Sequence, residues 1–152
     1  MSDFSPFEKR LSALIAALSP AGRRRMAQDI AKTLRTRQQQ RIKAQKAPDG
    51  SAYTPRREQP ARAKKGRVKR EMFAKLRTSR FMKASGSSDA AVVEFTGKVQ
   101  RIARVHQYGL KDKPGRNSKA VQYPARPLIG VDSEERTIIK DLVLKYFDIK
   151  GD

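Results

Sequence analysis

Apolar residues at helical spacing mark both ends of the chain. Near the N-terminus, Ser5-Pro6-Phe7-Glu8 is a capping box with proline at the first helical position, which predicts a helix over about Pro6 to Leu18. Ser19-Pro20 repeats this start pattern, and a second apolar stripe continues until it thins after Leu34. The two stripes predict a helical hairpin within residues 1–46, whose basic, glutamine-rich far end is expected to project or to dock outside the monomer.

The C-terminal end has the same kind of pattern. Asp132 and Glu135 have the spacing of another capping box and precede a last amphipathic helix. Its apolar side is predicted to carry Ile138, Ile139, Leu142, Val143 and Tyr146. From Asp132 onward six acidic residues face four basic ones, so this segment is expected to suit a basic segment of a neighbouring copy.

Shorter patterns in the middle of the chain are typical of turns and strands. Ala47-Pro48-Asp49-Gly50-Ser51 has the residue chemistry of a turn. Glu71 to Leu76 favours one or two helical turns, and Arg80 to Ala84 favours an extended segment. Gly86-Ser87-Ser88-Asp89 predicts a hairpin connector before a strand over Ala90 to Thr96, which Gly97 ends.

A further helix and a broken edge strand complete the predicted elements. Val99, Ile102, Ala103 and His106 share one helical face before Gly109, a residue suited to a helix C-terminus. Residues 111–120 form a basic loop, and the stretches 121–123 and 128–131 flank two prolines that permit at most an interrupted edge strand.

The predicted fold class is therefore α+β. It combines an N-terminal helical hairpin, a small mostly antiparallel sheet with a short helix and a C-terminal helix, and long basic loops. We expect a single domain over residues 1–152, in which residues 1–46 form the hairpin, 47–71 a flexible basic loop and 72–148 the α+β core.

Positive charge is the strongest feature of the composition. The chain has 35 Lys and Arg against 15 Asp and Glu, a formal net charge of +20, which favours polyanions or acidic proteins as partners. The candidate contact residues are Arg62, Lys64, Lys65, Arg67, Lys69 and Arg70. Because no aromatic residue interleaves them, base stacking is not indicated. Two hypotheses stay open for this run: contact with nucleic-acid phosphates, and contact with an acidic partner in an assembly.

The same composition argues against an enzyme. One histidine and no cysteine leave no converging set of nucleophiles, acid-base groups or metal ligands. The glycines are scattered as turn and cap residues and form no phosphate-binding loop. We therefore predict no catalytic, cofactor or metal site. No apolar run has the length of a membrane span or the pattern of a signal peptide, so we also expect a soluble protein without membrane contact.

Four ordered blocks of sequence resemble the phage virion morphogenesis, or tail completion, proteins of contractile-tailed bacteriophages. The blocks are Gln39 to Ile42 followed by Pro48 to Arg56, then Met72 to Arg77, Val99 to Leu110, and Tyr123 to Gly130. The order of the blocks carries the specificity: a helix ends in Tyr-Gly, a variable loop follows, and Pro-Ala-Arg-Pro-Leu precedes the final helix.

This resemblance implies a structural, non-enzymatic virion protein that completes or terminates the tail and takes part in joining it to the head. It implies an oligomeric ring, expected to be a hexamer, in the tail and neck region of a particle assembled in the bacterial host cytoplasm. The implied partners are the tail tube, tail sheath or tail terminator and the neck or connector proteins, with packaged DNA nearby. A basic nucleic-acid-binding protein is the alternative function.

Given that role, we expect subunit contacts at the Tyr-Gly helix end and at the Pro-Ala-Arg-Pro segment. The candidate interface residues are Arg104, His106, Tyr108, Arg126 and Pro127. Tyr108 and Arg126 are preferred, because aromatic and arginine side chains bury large areas and make directional bonds. The competing hypothesis is that Tyr108 packs in the monomer core and that Arg126 stabilises its own loop.

Overall fold

The described part of the chain folds into four helices and four short strands. The computed structural model describes residues 6–56 and 71–151. The helices are α1 (Pro6–Ala17), α2 (Pro20–Lys43), α3 (Gly97–Tyr108) and α4 (Ser133–Gly151). The strands are β1 (Met82–Gly86), β2 (Ala91–Phe95), β3 (Lys111–Asp112) and β4 (Val121–Gln122). The predicted α+β class is confirmed.

The strands form two small two-stranded sheets. One pairs β1 with β2, and the other pairs β3 with β4 in antiparallel register, with Lys111 opposite Gln122 and Asp112 opposite Val121. Between the β1 and β2 strands, the Ser87 amide donates to the Ala90 carbonyl at 2.8 Å, which closes the predicted hairpin connector. Short strands of this kind satisfy few backbone groups, so the loops around them depend on side-chain hydrogen bonds.

Residues 1–35, 84–93 and 133–152 make up one compact unit. Its core is an apolar cluster in which Leu11, Leu18, Met26, Ile30 and Val143 are buried. The partly buried side chains packed against this cluster are Ile15, Leu34, Ile139, Leu142, Leu144, Tyr146 and Phe147. The amide of Gly22 donates to the Ser19 hydroxyl at 3.1 Å, so the predicted start of the second helix is confirmed.

Residues 36–83 and 94–132 make up the second compact unit. Ile42, Met82 and Leu128 are fully buried there, and the apolar side of α3 contributes Val99, Ala103 and Val105 to the buried set. The predicted turn at Pro48-Asp49-Gly50 is present: the Gly50 amide donates to the Ala47 carbonyl at 2.9 Å, and Gly50 has a φ of 87°. Ser51 donates from its amide and hydroxyl to the Asp49 carboxylate, which lowers the pKa of Asp49.

One local prediction needs correction. Residues 71–76, predicted to form one or two helical turns, form no helix, and residues 72–77 are consecutive turns, because Phe73 has a φ of 64°, which no α-helix accommodates. Gly97 follows the end of β2, as predicted, and is also the first residue of α3. Of the two stretches that flank the prolines, 121–123 contains β4, whereas 128–131 forms no strand and the amides of residues 128–130 are bonded by side chains instead.

Candidate functional site

Helix α3 presents one side to the core and the other to solvent. Three of its twelve residues are buried, namely Val99, Ala103 and Val105. Arg104 is exposed, and Tyr108 has 66% of its surface accessible. The helix ends at Gly109, which has a φ of 66° and donates its amide to the Val105 carbonyl. A side chain at Gly109 would place its Cβ 2.8 Å from the Ala125 nitrogen, so the Tyr-Gly end packs closely on the proline-containing segment.

Four aromatic rings lie in a row behind the exposed end of α3. Tyr53, Phe73, His106 and Tyr123 meet edge to face, with successive ring centroids 5.7, 4.9 and 5.0 Å apart. The Nδ1 atom of His106 is buried and has no hydrogen-bond partner among residues 6–56 and 71–151. Burial lowers the pKa of His106, the Arg126 guanidinium lowers it further, and Asp112 opposes both effects. His106 therefore acts as a neutral packing ring.

Arg126 is buried, with 6% of its surface accessible, and it donates hydrogen bonds to backbone carbonyls. Its Nε donates to the Thr54 carbonyl at 2.7 Å, and its Nη2 donates to the Pro55 carbonyl at 3.1 Å. Its backbone amide donates to the His106 carbonyl at 2.7 Å, which ties the segment to α3. The guanidinium thus fixes the backbone at Thr54 and Pro55.

Pro127 and Tyr53 complete this arrangement. The Tyr53 hydroxyl donates to the Pro127 carbonyl at 2.8 Å, and burial raises the pKa of Tyr53 to about 12. The Gln45 side chain makes two hydrogen bonds to the backbone of Met72. Its Nε2 donates to the Met72 carbonyl at 2.9 Å, and its Oε1 accepts from the Met72 amide at 3.1 Å. Residues 53–55 and 72–73 are therefore held by the same buried group of side chains.

Two more glutamines hold the segment that follows Pro127. The Gln107 Oε1 accepts from the amides of Leu128 and Ile129 at 2.8 and 3.0 Å, and its Nε2 donates to the Ile129 carbonyl at 2.9 Å. Gln38, which is 1% exposed, accepts from the Gly130 amide at 3.1 Å and from Arg41. Arg41 Nη2 also donates to the Gly130 carbonyl at 2.8 Å, so this loop is fixed along its length.

The structure thus separates the candidate interface residues into two groups. Arg104 and Tyr108 are exposed on α3, while His106, Arg126 and Pro127 lie in or beside the buried group. The glutamines were not predicted from the sequence, because their backbone partners in the loops lie between 21 and 92 residues away along the chain. The candidate contact residues Arg62, Lys64, Lys65, Arg67, Lys69 and Arg70 lie outside the described residues.

Neither a metal site nor a membrane helix is found in the described part of the chain. Residues 6–56 and 71–151 contain no group of three or more His, Asp or Glu side chains placed to hold a metal ion. Among the same residues, no helix has both the length and the apolar character that crossing a membrane requires.

The chain is similar over nearly its full length to proteins of bacteriophages. The model of the phage virion morphogenesis family matches residues 2–148. The chain is 49% identical over 149 residues to tail completion protein S of Escherichia phage P2, covering 97% of this chain and 99% of that protein. No solved structure matches the chain.

Proposed function

Because the chain belongs to the phage virion morphogenesis family, we propose that it is a structural protein that completes the phage tail. One observation carries the proposal: the similarity to a protein named for tail completion extends over almost all of both chains. The family match over residues 2–148 includes α1, α2, α3, all four strands and most of α4. The same elements are therefore available for the same role.

The work of the protein is binding and not chemical conversion. Its lone histidine is a packing ring with a lowered pKa, and its buried polar side chains bond the backbone of their own chain. Groups that already satisfy one another are poor candidates for attack on a substrate.

The proposed active form is a closed ring of copies, a hexamer, which terminates the tail and takes part in joining it to the head. Its neighbours are the tail tube, sheath or terminator on one side and the neck or connector proteins on the other, with packaged DNA close by. The particle assembles in the host cytoplasm, and the protein remains in the tail and neck region of the virion. Arg104 and Tyr108 are the exposed members of the candidate interface set, so they are available to a neighbouring molecule.

Deletion of the gene from the phage that encodes this chain tests the role. We expect electron micrographs of the lysate to show separate heads together with unjoined or overlong tails, and a plasmid copy of the wild-type gene to restore infectious particles. Native mass spectrometry of the purified protein measures the number of copies in the ring. Intact, infectious particles from the deleted phage would refute the proposal.

A further inference from the structure

The solvent side of α3 and the β3–β4 hairpin carry a large excess of positive charge. Residues 97–122 contain seven Lys and Arg against Asp112 alone, so their net charge is 7 − 1 = +6. The basic residues are Lys98, Arg101, Arg104, Lys111, Lys113, Arg116 and Lys119, and all of them are exposed. We call this surface the basic face.

Two contacts join the helix and the hairpin into one surface. Arg101 forms an ion pair with Asp112 on β3, and the Gln122 side chain on β4 donates to the Gly109 carbonyl at 2.7 Å. On the helix, Arg101, Arg104 and Tyr108 follow one another at spacings of three and four residues, so they share one side. The only acidic residue of the basic face is thus already paired, and the surrounding charge is not neutralised locally.

Helix α3 also exposes two large side chains that are not charged. Tyr108, on the side of Arg101 and Arg104, is 66% exposed, and Ile102, on a different side of the helix, is 49% exposed. Tyrosine and arginine are enriched where protein surfaces bind each other, and an aliphatic side chain gains nothing from a phosphate backbone. This mixture favours a protein partner over nucleic acid.

Among the described residues, few acidic side chains that a second copy could offer to the basic face are left without a partner. Most acidic side chains are already engaged: Asp29 with Tyr146, Asp49 with Ser51, Glu71 with Arg77, Asp112 with Arg101, and Asp132 with Arg37 and Arg41. Glu8, Glu134 and Glu135 have polar partners as well. The other exposed acids, Asp89, Glu94 and Asp141, are distributed over separate elements.

From this charge and exposure we infer that the basic face docks an acidic surface of a different virion protein, one with an apolar patch opposite Tyr108. The inference rests on the proposed tail-completion role for the particle in which this partner occurs. It assigns Arg104 and Tyr108 to a contact with another protein and leaves the contacts between copies to other surfaces.

The test uses tails purified from phage that lack the gene, because such tails present the vacant binding position. Full-length wild-type protein is expected to co-sediment with these tails. The double variant Arg104→Glu with Tyr108→Ala should bind at least tenfold more weakly, since it reverses one charge and removes the exposed ring. A matched control, Arg10→Glu with Leu14→Ala, makes the same kind of change at exposed α1 positions four residues apart and should bind within twofold of wild type.

Three results would overturn the inference. The first is double-variant binding to tails at the wild-type level. The second is loss of binding to a 30-base-pair DNA duplex in the double variant while tail binding is retained, which would assign the surface to nucleic acid. The third is dissociation of the oligomer in native mass spectrometry, which would assign it to a second copy. The tail-completion role is tested separately, since wild-type protein restores infectious particles whichever surface makes the contact.

Discussion

Replacement of Arg126 by alanine measures how strongly this buried guanidinium holds its own chain. The substitution removes two charge-assisted hydrogen bonds, to the Thr54 carbonyl at 2.7 Å and to the Pro55 carbonyl at 3.1 Å. Hydrogen bonds to charged groups each contribute about 1.5–3 kcal/mol to stability. Because Thr54 and Pro55 are exposed, water can reach both carbonyls after truncation. The loss of stability therefore falls towards the lower end of the range that two such bonds would give. We expect the free energy of unfolding to decrease by about 2–4 kcal/mol.

In a domain of this size each kcal/mol corresponds to about 2–4 °C in the melting temperature, so the expected decrease is about 4–16 °C. Differential scanning calorimetry measures it, with Arg104→Ala as the matched control. Arg104 is exposed on α3, and its truncation should change the free energy of unfolding by no more than about 0.5 kcal/mol. Arg126→Lys should fall between wild type and alanine, because lysine keeps the charge but cannot bond both carbonyls with a planar fork.

A melting temperature of Arg126→Ala within 1 °C of wild type would refute this reasoning. If the same variant then failed to assemble, Arg126 would belong to an interface, as the preferred sequence hypothesis has it. A large loss of stability would instead favour the competing hypothesis, in which Arg126 stabilises its own loop. The two hypotheses therefore predict opposite results in a single measurement on the isolated protein.

Three further predictions concern packing, hydrogen bonding and pH. Gly86→Ala would place a Cβ 2.4 Å from the Gln28 backbone nitrogen and should destabilise the protein by about 1–3 kcal/mol. Gly97→Ala is the control, because no atom lies within 4 Å of its Cβ, and it should not destabilise the protein. Chemical denaturation of both variants measures the difference. Gln107→Leu removes three hydrogen bonds to Leu128 and Ile129 and should lower the free energy of unfolding by about 2–4 kcal/mol in the same assay. Gln100→Leu loses one bond and should lower it by less than about 1 kcal/mol. Equal losses in the two variants would contradict the role assigned to Gln107. The lowered pKa of His106 means that the unfolded chain binds a proton more readily than the folded chain, so stability should fall as pH drops through about 6.5 towards the folded pKa. His106→Phe keeps a ring between Phe73 and Tyr123 and should reduce the fall in melting temperature between pH 7.5 and 5.5; an unchanged pH dependence would exclude His106 as its source.

Helices and turns were predictable from sequence because local patterns specify them. The capping sequence at Ser19-Pro20, the turn at Pro48-Asp49-Gly50 and the cap at Gly109 depend on neighbours within a few residues, and all three are present. The turns at 72–77 were not predictable, because Phe73 adopts a positive φ while Gln45 bonds the backbone of Met72 from 27 residues away. A contact of that separation leaves no periodic trace in the sequence.

The two segments named as candidate contacts lie together in the structure, but the sequence did not indicate the surroundings of each side chain. The Tyr-Gly helix end and the Pro-Ala-Arg-Pro segment do lie together, since the Arg126 amide bonds the His106 carbonyl at 2.7 Å. Which of these side chains face solvent depends on the rotation of α3 and on the partners of the proline-containing loop. Tyr108 is exposed and Arg126 is buried, although their side-chain types made both good candidates for an interface.

In the second compact unit, glutamine and arginine side chains bond backbone groups that a larger sheet would otherwise satisfy. β3 and β4 have two residues each, too few to satisfy the backbone of the loops that follow them. The amides of Gln107 and Gln38 bond residues 128–130, the Gln45 amide bonds Met72, and the Arg126 guanidinium bonds residues 54 and 55. Gln107, Gln45 and Arg126 each bond two or three backbone groups, so the loops are fixed before any partner binds. A surface fixed in advance loses less conformational entropy on docking. The buried or half-buried glutamines and Arg126 are therefore expected to support binding without contacting the partner, which predicts that their variants lose stability first and tail binding only as a consequence.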